Sequence, residues 1–246
     1  MRPWLAACLA LVAGLVASGA SALSCETIRF EGNRYSICDV DPAQDHLRLF
    51  LNTPDGQPIG DFSTLESRLN GEGKTLLFAM NAGMYHEDRS PVGHYVEDGR
   101  EAMRVISNPG PGNFGLLPNG LLCIQDRRAH VIETRDYLER RPDCRYATQS
   151  GPMLVIDGAL HPRFLPESTS RYVRNGVGTS ADGKRAVFAI SETSVTFFEF
   201  ARLFRDGLNL PNALFLDGNV SRLFAPALNR ADLGRQMGPI VAVTSE

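Results

Sequence analysis

The sequence lacks the features that mark several common protein classes. It has no Cys-x-x-Cys pair and no His-x-x-x-His pair, the spacings that typically hold zinc. It has no basic stretch long enough to indicate nucleic-acid binding, no sustained amphipathic stretch for membrane binding, and a formal net charge of −3. Internal repeats and low-complexity segments are also absent. These absences favour a globular protein that binds neither nucleic acid nor a membrane.

One long apolar run lies at the amino terminus. The run covers Leu5–Val16, follows the charged Arg2, and precedes Ala20–Ala22, which has the Ala-x-Ala form of a cleavage site. The run is shorter than the roughly 20 residues of a transmembrane helix. Residues 1–22 are therefore predicted to be a signal peptide. The mature protein, residues 23–246, is predicted to be periplasmic or secreted, without membrane insertion after cleavage.

The mature chain keeps four cysteines, an even number in a protein predicted to be exported. Four cysteines allow three pairings, and we prefer the two local ones, Cys25 with Cys38 and Cys123 with Cys144. A metal site would need closely spaced cysteine pairs, and none is present. The cysteines are therefore predicted to form structural disulfides.

Most of the mature chain has the pattern of short strands. Residues 26–51 alternate apolar and polar side chains, which predicts antiparallel strands. A later apolar run with β character ends abruptly at Asp217, so this carboxylate is predicted to lie at a strand end. The other apolar runs that predict buried strands are Lys74–Met80, Leu121–Ile124, Met153–Ile156 and Ala186–Ile190.

Two segments carry the pattern of a helix start. Ser63 with Glu66, and Thr196 with Glu199, have the spacing of a capping box, in which the first side chain caps an amide and the second reaches back. Strands outnumber helices in this prediction. We therefore predict an α+β fold, a single domain over residues 23–246, with a central mixed or largely antiparallel sheet and a few flanking helices.

Four segments place small residues beside a polar side chain. Glycine lets a ligand approach the backbone closely, and neighbouring amides can bind an anion. Arg174 adds a planar cation suited to phosphate or carboxylate, Asn81 offers a donor and an acceptor, and Asp217 offers a carboxylate on a rigid element. The segments are Asn81–His86, Thr148–Met153, Arg174–Gly178 and Leu216–Ser221.

Taken in this order, the segments resemble the motifs of the phosphodiester glycosidase family, in particular its small exported bacterial branch. The family patterns Asn-Gly-Gly-[Tyr/Phe]-Phe, Ser-Gly-Pro-x-Leu, Arg-x-x-x-Gly and Leu-Asp-Gly-Gly-x-Ser correspond to Asn81–Tyr85, Ser150–Leu154, Arg174–Gly178 and Leu216–Ser221. The resemblance covers roughly residues 76–226. It implies hydrolysis of a sugar 1-phosphodiester, such as one in an envelope glycan. It implies no cofactor, although a divalent metal is left open.

The resemblance also implies roles for individual residues. Asp217 is expected to act as acid, base or nucleophile, and Arg174 to bind the phosphate together with the backbone near Gly151 and Gly176. Because glycoside hydrolysis usually uses two carboxylates, Glu192 is the candidate second one. Asp157 and Asp182 are its rivals. The residues expected to bind substrate are Asn81, Gly83, Ser150, Gly151, Arg174, Asn175, Gly218 and Ser221.

Three alternatives stay open. His86, Asp88 and His94 could ligate a metal, although Pro91 nearby indicates a loop, where turn or substrate contacts fit better. Ser150 could be the nucleophile of a Ser/His/Asp hydrolase, but the Gly-x-Ser-x-Gly pattern is missing. Finally, the chain could be a non-catalytic periplasmic module that binds glycan or sugar phosphate on the same loops.

Overall fold

The computed structural model describes residues 23–217 and 220–246. The predicted signal peptide, residues 1–22, lies outside the described residues, as do Gly218 and Asn219. The described residues contain three α-helices, and the last of them continues into a π-helical turn over Leu203–Gly207. The helices are α1 (Phe62–Gly71), α2 (Thr134–Arg140) and α3 (Phe197–Arg202).

The strands form three sheets. In spatial order, the first sheet consists of β1 (Ser24–Phe30), β2 (Asn33–Val40), β13 (Ala186–Ser191), β12 (Asn175–Thr179), β14 (Asn212–Asp217), β10 (Met153–Ile156) and β11 (Ala159–Leu160). The second consists of β16 (Arg230–Ala231), β15 (Leu223–Ala225), β4 (Leu76–Asn81), β17 (Ile240–Thr244) and β3 (His46–Phe50). The third consists of β6 (Arg100–Met103), β5 (Tyr95–Glu97), β9 (Tyr146–Ser150), β7 (Gly120–Gln125) and β8 (Arg128–Glu133).

The pairing of these strands corrects the predicted fold class. All strand pairs in the described chain are antiparallel, as the alternation of apolar and polar residues indicated. The predicted single central sheet is wrong, because in residues 23–217 and 220–246 the strands divide among three sheets, accompanied by three α-helices. The fold is therefore largely β rather than α+β.

The continuous apolar runs arise because central strands of the first sheet are covered on both faces. In β13, Ala186, Phe188 and Ile190 face one hydrophobic cluster, whereas Val187 and Ala189 face the cluster that includes α3. Side chains alternate across a strand, so burial of both faces requires apolar residues at every position.

The three sheets share one hydrophobic core. Phe78 of β4, Leu122 of β7 and Phe188 of β13 all belong to the same cluster of buried side chains. The rings of Phe78 and Phe188 lie 5.0 Å apart between centroids. Burial of each such side chain contributes roughly 1.5–3 kcal/mol. The core therefore holds the second and third sheets against the first, and it fixes where their strand ends meet.

The helices are short, and their starts were only partly predicted. The capping box of α3 is confirmed: Glu199 N donates to Thr196 Oγ1 at 3.1 Å, and Thr196 N donates to Glu199 Oε2 at 2.8 Å. The predicted cap Ser63 is wrong, because α1 begins at Phe62 and its N-cap is Asp61, whose Oδ1 accepts the bond from Thr64 N at 2.8 Å. Across residues 23–217 and 220–246, no helix has the length and apolar character to span a bilayer.

Both predicted disulfides are confirmed. Cys25 and Cys38 are opposite partners in the β1–β2 hairpin and form the first disulfide. Cys123 of β7 is bonded to Cys144, which lies just before β9. Each bond joins neighbouring strands close in sequence, which is why the local pairing was the correct choice among the three. Disulfides persist in oxidising compartments, so the structure indicates a non-cytoplasmic protein.

Candidate active site

A cleft of about 860 Å³ opens where strands of the first and second sheets end. We call it the main cleft. Because β12 and β14 run antiparallel, Asn175 at the start of β12 lies opposite Asp217 at the end of β14. Arg174 and Asp217 both line the main cleft, and the residues that follow β4 form another part of its wall. The antiparallel register therefore brings two of the predicted motifs to one place.

Two buried asparagines hold the strand ends together under the cleft. Asn81 Oδ1 accepts hydrogen bonds from Asn175 Nδ2 at 2.7 Å and from the backbone N of Arg222 at 2.9 Å. Asn175 Oδ1 accepts one from the backbone N of Asp217 at 3.0 Å. Both asparagine side chains are fully buried, and neither lines the main cleft. Hydrogen bonds thus connect Asn81 to Asn175 and Asn175 to Asp217, and the two asparagines are buried behind the cleft wall.

Arg174 is a buried cation on the cleft wall. Its residue is 1% exposed, and its guanidinium carbon lies 3.6 Å from the ring centroid of Phe197. Nε donates to Val195 O at 2.9 Å and Nη2 to Ser170 O at 3.1 Å, while Nη1 has no partner among the described residues. Burial lowers the pKa of Arg174 to about 10, so the group stays charged at neutral pH. Within the described chain no carboxylate lies within 4.0 Å of it.

This arrangement suits an anionic ligand. A charge removed from water is costly unless an opposite charge or hydrogen bonds compensate it. Two backbone carbonyls and the aromatic face of Phe197 compensate part of the cost for Arg174. Arg174 lines the main cleft, and its unbonded Nη1 is a donor of the kind that binds a phosphate or carboxylate oxygen.

Asp217 is the buried carboxylate of the cleft wall. It is 7% exposed, whereas Glu87, the other carboxylate on the described wall, is exposed. Burial and then the charge of Asp217 raise the pKa of Tyr85, which stays protonated and donates to Gln236 O at 3.0 Å. The wall therefore carries a carboxylate, a phenol and the Arg174 cation in one cleft.

The predicted glycines pack against neighbouring atoms. A Cβ at Gly83, Gly151 or Gly176 would come within 2.9 Å of a neighbouring side chain or backbone atom. Glycine is needed at these positions because the strands and loops approach too closely for any side chain. None of the three is among the residues of the cleft wall.

The predicted serines also bond to the protein backbone. Ser150 is fully buried, and its Oγ donates to Leu216 O at 2.6 Å. Ser221 Oγ donates to Asp217 O at 2.9 Å. Both hydroxyl groups therefore brace the strand end that carries Asp217. The prediction for Gly218 lies outside the described residues.

The structure does not bring the predicted second carboxylate to the cleft wall. Glu192 follows β13, and its Oε1 accepts hydrogen bonds from Arg230 Nη1 and from Ser36 Oγ, each at 2.6 Å. Asp157 and Asp182 are exposed turn residues outside the wall as well. Glu192 follows β13, which lies between β2 and β12 in the first sheet and is therefore not adjacent to β14, the strand that ends at Asp217.

The three residues considered as metal ligands have different surroundings in the structure. His94 is 3% exposed, and its ring nitrogens lie 2.9 Å from Met103 O and 3.0 Å from the Tyr137 hydroxyl. Asp88 Oδ1 accepts from Ser90 in a tight turn. His86 lines the main cleft. No group of three metal-ligating side chains is assembled anywhere in residues 23–217 and 220–246.

Several residues around the cleft were not predicted. Arg222 follows the Asp217 motif directly, and Tyr172 precedes Arg174 by two positions, so proximity in sequence was a usable signal for both. Arg89 and Arg235 come from separate loops on the wall. No local pattern distinguished these two arginines from ordinary surface residues.

Comparison with known proteins identifies the family of this chain. The profile described as "Phosphodiester glycosidase" matches residues 74–243. The "Uncharacterized protein YigE" of Escherichia coli strain K12 is 31% identical over 185 residues, which cover 75% of this chain and 72% of that protein.

Two solved structures share the fold. The catalytic domain of zebrafish N-acetylglucosamine-1-phosphodiester alpha-N-acetylglucosaminidase, auto-inhibited by its pro-peptide, aligns with a TM-score of 0.61 at 14% identity, over 92% of this chain and 83% of that one. A hypothetical protein from Synechocystis aligns with a TM-score of 0.59 at 11% identity, over 91% of this chain and 62% of that one. The motif order predicted the same relationship, and the profile match confirms it. The chain belongs to the phosphodiester glycosidase family.

Proposed function

We propose that this protein hydrolyses sugar 1-phosphodiesters, releasing the sugar from a phosphorylated partner. The observation that carries the proposal is Arg174, a buried cation without a carboxylate partner in the described chain, on the same cleft wall as the buried carboxylate of Asp217. Family membership supports the same reaction class. The zebrafish enzyme with this fold is named for cleavage of an N-acetylglucosamine 1-phosphodiester.

Arg174 supplies the phosphate-binding group in this proposal. Its Nη1 donates to a non-bridging phosphate oxygen, and the other guanidinium nitrogens stay bonded to Val195 O and Ser170 O. A preorganised donor of this kind stabilises the charge that collects on the phosphate as the C1–O bond breaks. The same contact binds the substrate in the ground state.

Asp217 supplies the nucleophile or the base. A departing phosphate monoester is a stable anion, so it needs less protonation than the alcohol that leaves in an ordinary glycoside. One well-placed carboxylate, attacking C1 or activating water, then carries more of the reaction than in a two-carboxylate glycosidase. Glu87 is the carboxylate on the described wall that could assist, in place of Glu192.

The compartment follows from the disulfides and the predicted leader. Two disulfides fit an oxidising environment, and we place the protein in the periplasm or outside the cell. Its substrates are then envelope glycans that contain sugar 1-phosphate linkages. Fractionation of cells that express the full chain should recover the protein outside the cytoplasm in a form shortened by the leader. Recovery of uncleaved protein in the cytoplasm would contradict this part of the proposal.

The decisive test is turnover. The purified protein is incubated with a panel of sugar 1-phosphodiesters, the phosphomonoester is followed by ³¹P NMR, and the free sugar is measured by a reducing-end assay. Asp217→Asn should lower kcat by about 100-fold or more, as expected for loss of a catalytic carboxylate. Asp126→Asn, an exposed turn position, is the matched control and should keep full activity.

Two outcomes would overturn the assignment. Full hydrolysis by folded Asp217→Asn would remove Asp217 from the chemistry. Saturable binding across the panel without release of sugar, unchanged by Asp217→Ala, would favour the non-catalytic binding module.

A further inference from the structure

A second pocket adjoins the main cleft. It has a volume of about 460 Å³ and shares Val220 and Arg235 with the wall of the main cleft. Arg222 and Ser221 line its interior. We call it the side pocket. None of its charged residues takes part in the hydrolysis proposed above.

Arg222 in the side pocket is a buried arginine, as Arg174 is in the main cleft. It is 6% exposed, and in residues 23–217 and 220–246 its guanidinium has no hydrogen-bond partner and no carboxylate within 4.0 Å. Burial lowers its pKa. A cation removed from water in this way is costly, and a bound anion would offset the cost.

The surrounding backbone is shaped to hold this guanidinium. Gly234 has φ 143°, and a Cβ there would lie 2.6 Å from Nη2 of Arg222. The absence of a side chain at Gly234 therefore makes room for the Arg222 head group. At the other end of the residue, the backbone N of Arg222 donates to Asn81 Oδ1 at 2.9 Å.

The charged residues that line the side pocket are two arginines and one aspartate. Arg222 and Arg235 face one carboxylate, Asp232. That carboxylate is already paired with Arg230, at 2.9 Å between Nη2 and Oδ2. Arg230 also binds Glu192, and the charges of Asp232 and Asp61 oppose the effect of burial on the pKa of Arg222, but no carboxylate of the described residues lies within 4.0 Å of the Arg222 or Arg235 guanidinium group.

The two pockets are held in a fixed relation. Asn81 bonds both to Arg222 and to Asn175, the residue after Arg174. The chain next to Arg174 and the backbone of Arg222 are thus both joined to Asn81. An extended substrate that binds Arg174 can reach Arg222 through the shared wall at Val220 and Arg235.

We propose that the side pocket is a second anion-binding subsite, so that the natural substrate carries a further phosphate or similar anionic group beyond the phosphodiester that is cleaved. This inference rests on the proposed function and narrows its substrate class to chains with repeated negative charges. The anion is tethered to the substrate, and Arg222 with Arg235 binds it while Arg174 binds the scissile phosphodiester.

The test compares two substrates that share one sugar. One is the sugar 1-phosphodiester of a neutral alkyl alcohol, and the other carries a terminal phosphate on that alkyl chain. The wild type should give a kcat/KM at least about 10-fold higher for the second, the range of one charge-assisted contact. Arg222→Gln should bring this ratio close to one, and Arg235→Gln should lower it. Arg29→Gln, which removes an exposed charge on the edge strand β1, should keep the wild-type ratio.

A binding measurement separates this inference from the reaction. In ¹⁵N-labelled protein, the Nε–Hε NMR signal of Arg222, assigned through Arg222→Gln, should shift on titration with inorganic pyrophosphate even if no substrate is cleaved. If the signal shifts but no substrate is cleaved, the proposed function is refuted and the subsite is supported. A wild-type ratio of kcat/KM near one for the two substrates would overturn the proposal that the substrate carries a tethered anion, even if free pyrophosphate binds to the side pocket. A substrate preference that folded Arg222→Gln and Arg235→Gln both retain would overturn the subsite.

Discussion

Asn81→Ala tests the central claim about the site, that one buried amide holds it together. The substitution removes Oδ1, the acceptor for Asn175 Nδ2 and for the backbone N of Arg222. Asn175 Nδ2 keeps only the longer bond to Asn81 O, at 3.3 Å. The backbone N of Arg222 loses the acceptor that the Asn81 side chain provides.

The magnitude follows from these two donors. A buried donor left without an acceptor costs about 1–3 kcal/mol, and Asn81→Ala weakens or removes the bonds of two. The substitution also removes Asn81 Nδ2, a buried donor with no partner among the described residues. Removing this unsatisfied donor offsets part of the loss of stability. We therefore expect a loss of about 2–4 kcal/mol in the free energy of unfolding. For a domain of this size that corresponds to a decrease in Tm of roughly 5–15 °C.

Urea unfolding followed by circular dichroism measures the loss. Asn70→Ala, at an exposed position of α1, is the matched control and should change the unfolding free energy by less than about 0.5 kcal/mol. Because Asn175 also holds the backbone N of Asp217, activity of Asn81→Ala should decrease at temperatures where the variant is still folded. A stability change as small as that of Asn70→Ala, with full activity, would refute this account of the network.

Two further predictions concern single side chains. Arg174→Gln should lower kcat/KM for a sugar 1-phosphodiester by about 100-fold, the effect of removing one preorganised donor. Arg174→Lys should restore little of this loss, because an ammonium cannot reproduce the planar contact with Phe197. Equal activity of Arg174→Lys and wild type would contradict this prediction. Burial lowers the pKa of His161 from 6.5 to about 4, so the unfolded chain binds more protons between these values and stability should fall as pH decreases from 6.5 to 4. His161→Phe, which keeps the stacking on Phe164, should lose less stability between pH 7 and pH 4.5 in urea titrations; an unchanged pH dependence would assign the effect to other groups.

The elements that the sequence predicted well depend on short-range patterns. The apolar run at Ala186–Ile190 became a strand because its alternate side chains fill clusters on both faces of the sheet. The Thr196 and Glu199 capping box depends on residues three apart, and it formed as expected. At Ser63 the same pattern misled, because the helix begins at Phe62 and Asp61, two positions before Ser63, is its N-cap.

For the candidate site, the sequence named candidate residues, and the structure decided which of them line the cleft. Arg174 and Asp217 were selected from residue chemistry and motif order, and they share one cleft wall. Glu192 was selected because a second carboxylate was needed, but its position just after β13, next to Arg230, gives it a different partner. A carboxylate's partner depends on which strand lies beside it, and local sequence does not specify that.

By itself, the sequence determined the strand segments, both disulfides, the family and the ordered motifs, because each depends on residues close together in the chain or on their linear order. Only the tertiary structure decided that the strands divide among three sheets and that Asn81 meets both Asn175 and Arg222, which are 94 and 141 positions away. Contacts over such separations depend on which strand edges pair and on how the shared core packs. That is why the side pocket and its unpaired guanidinium groups became visible only in the fold.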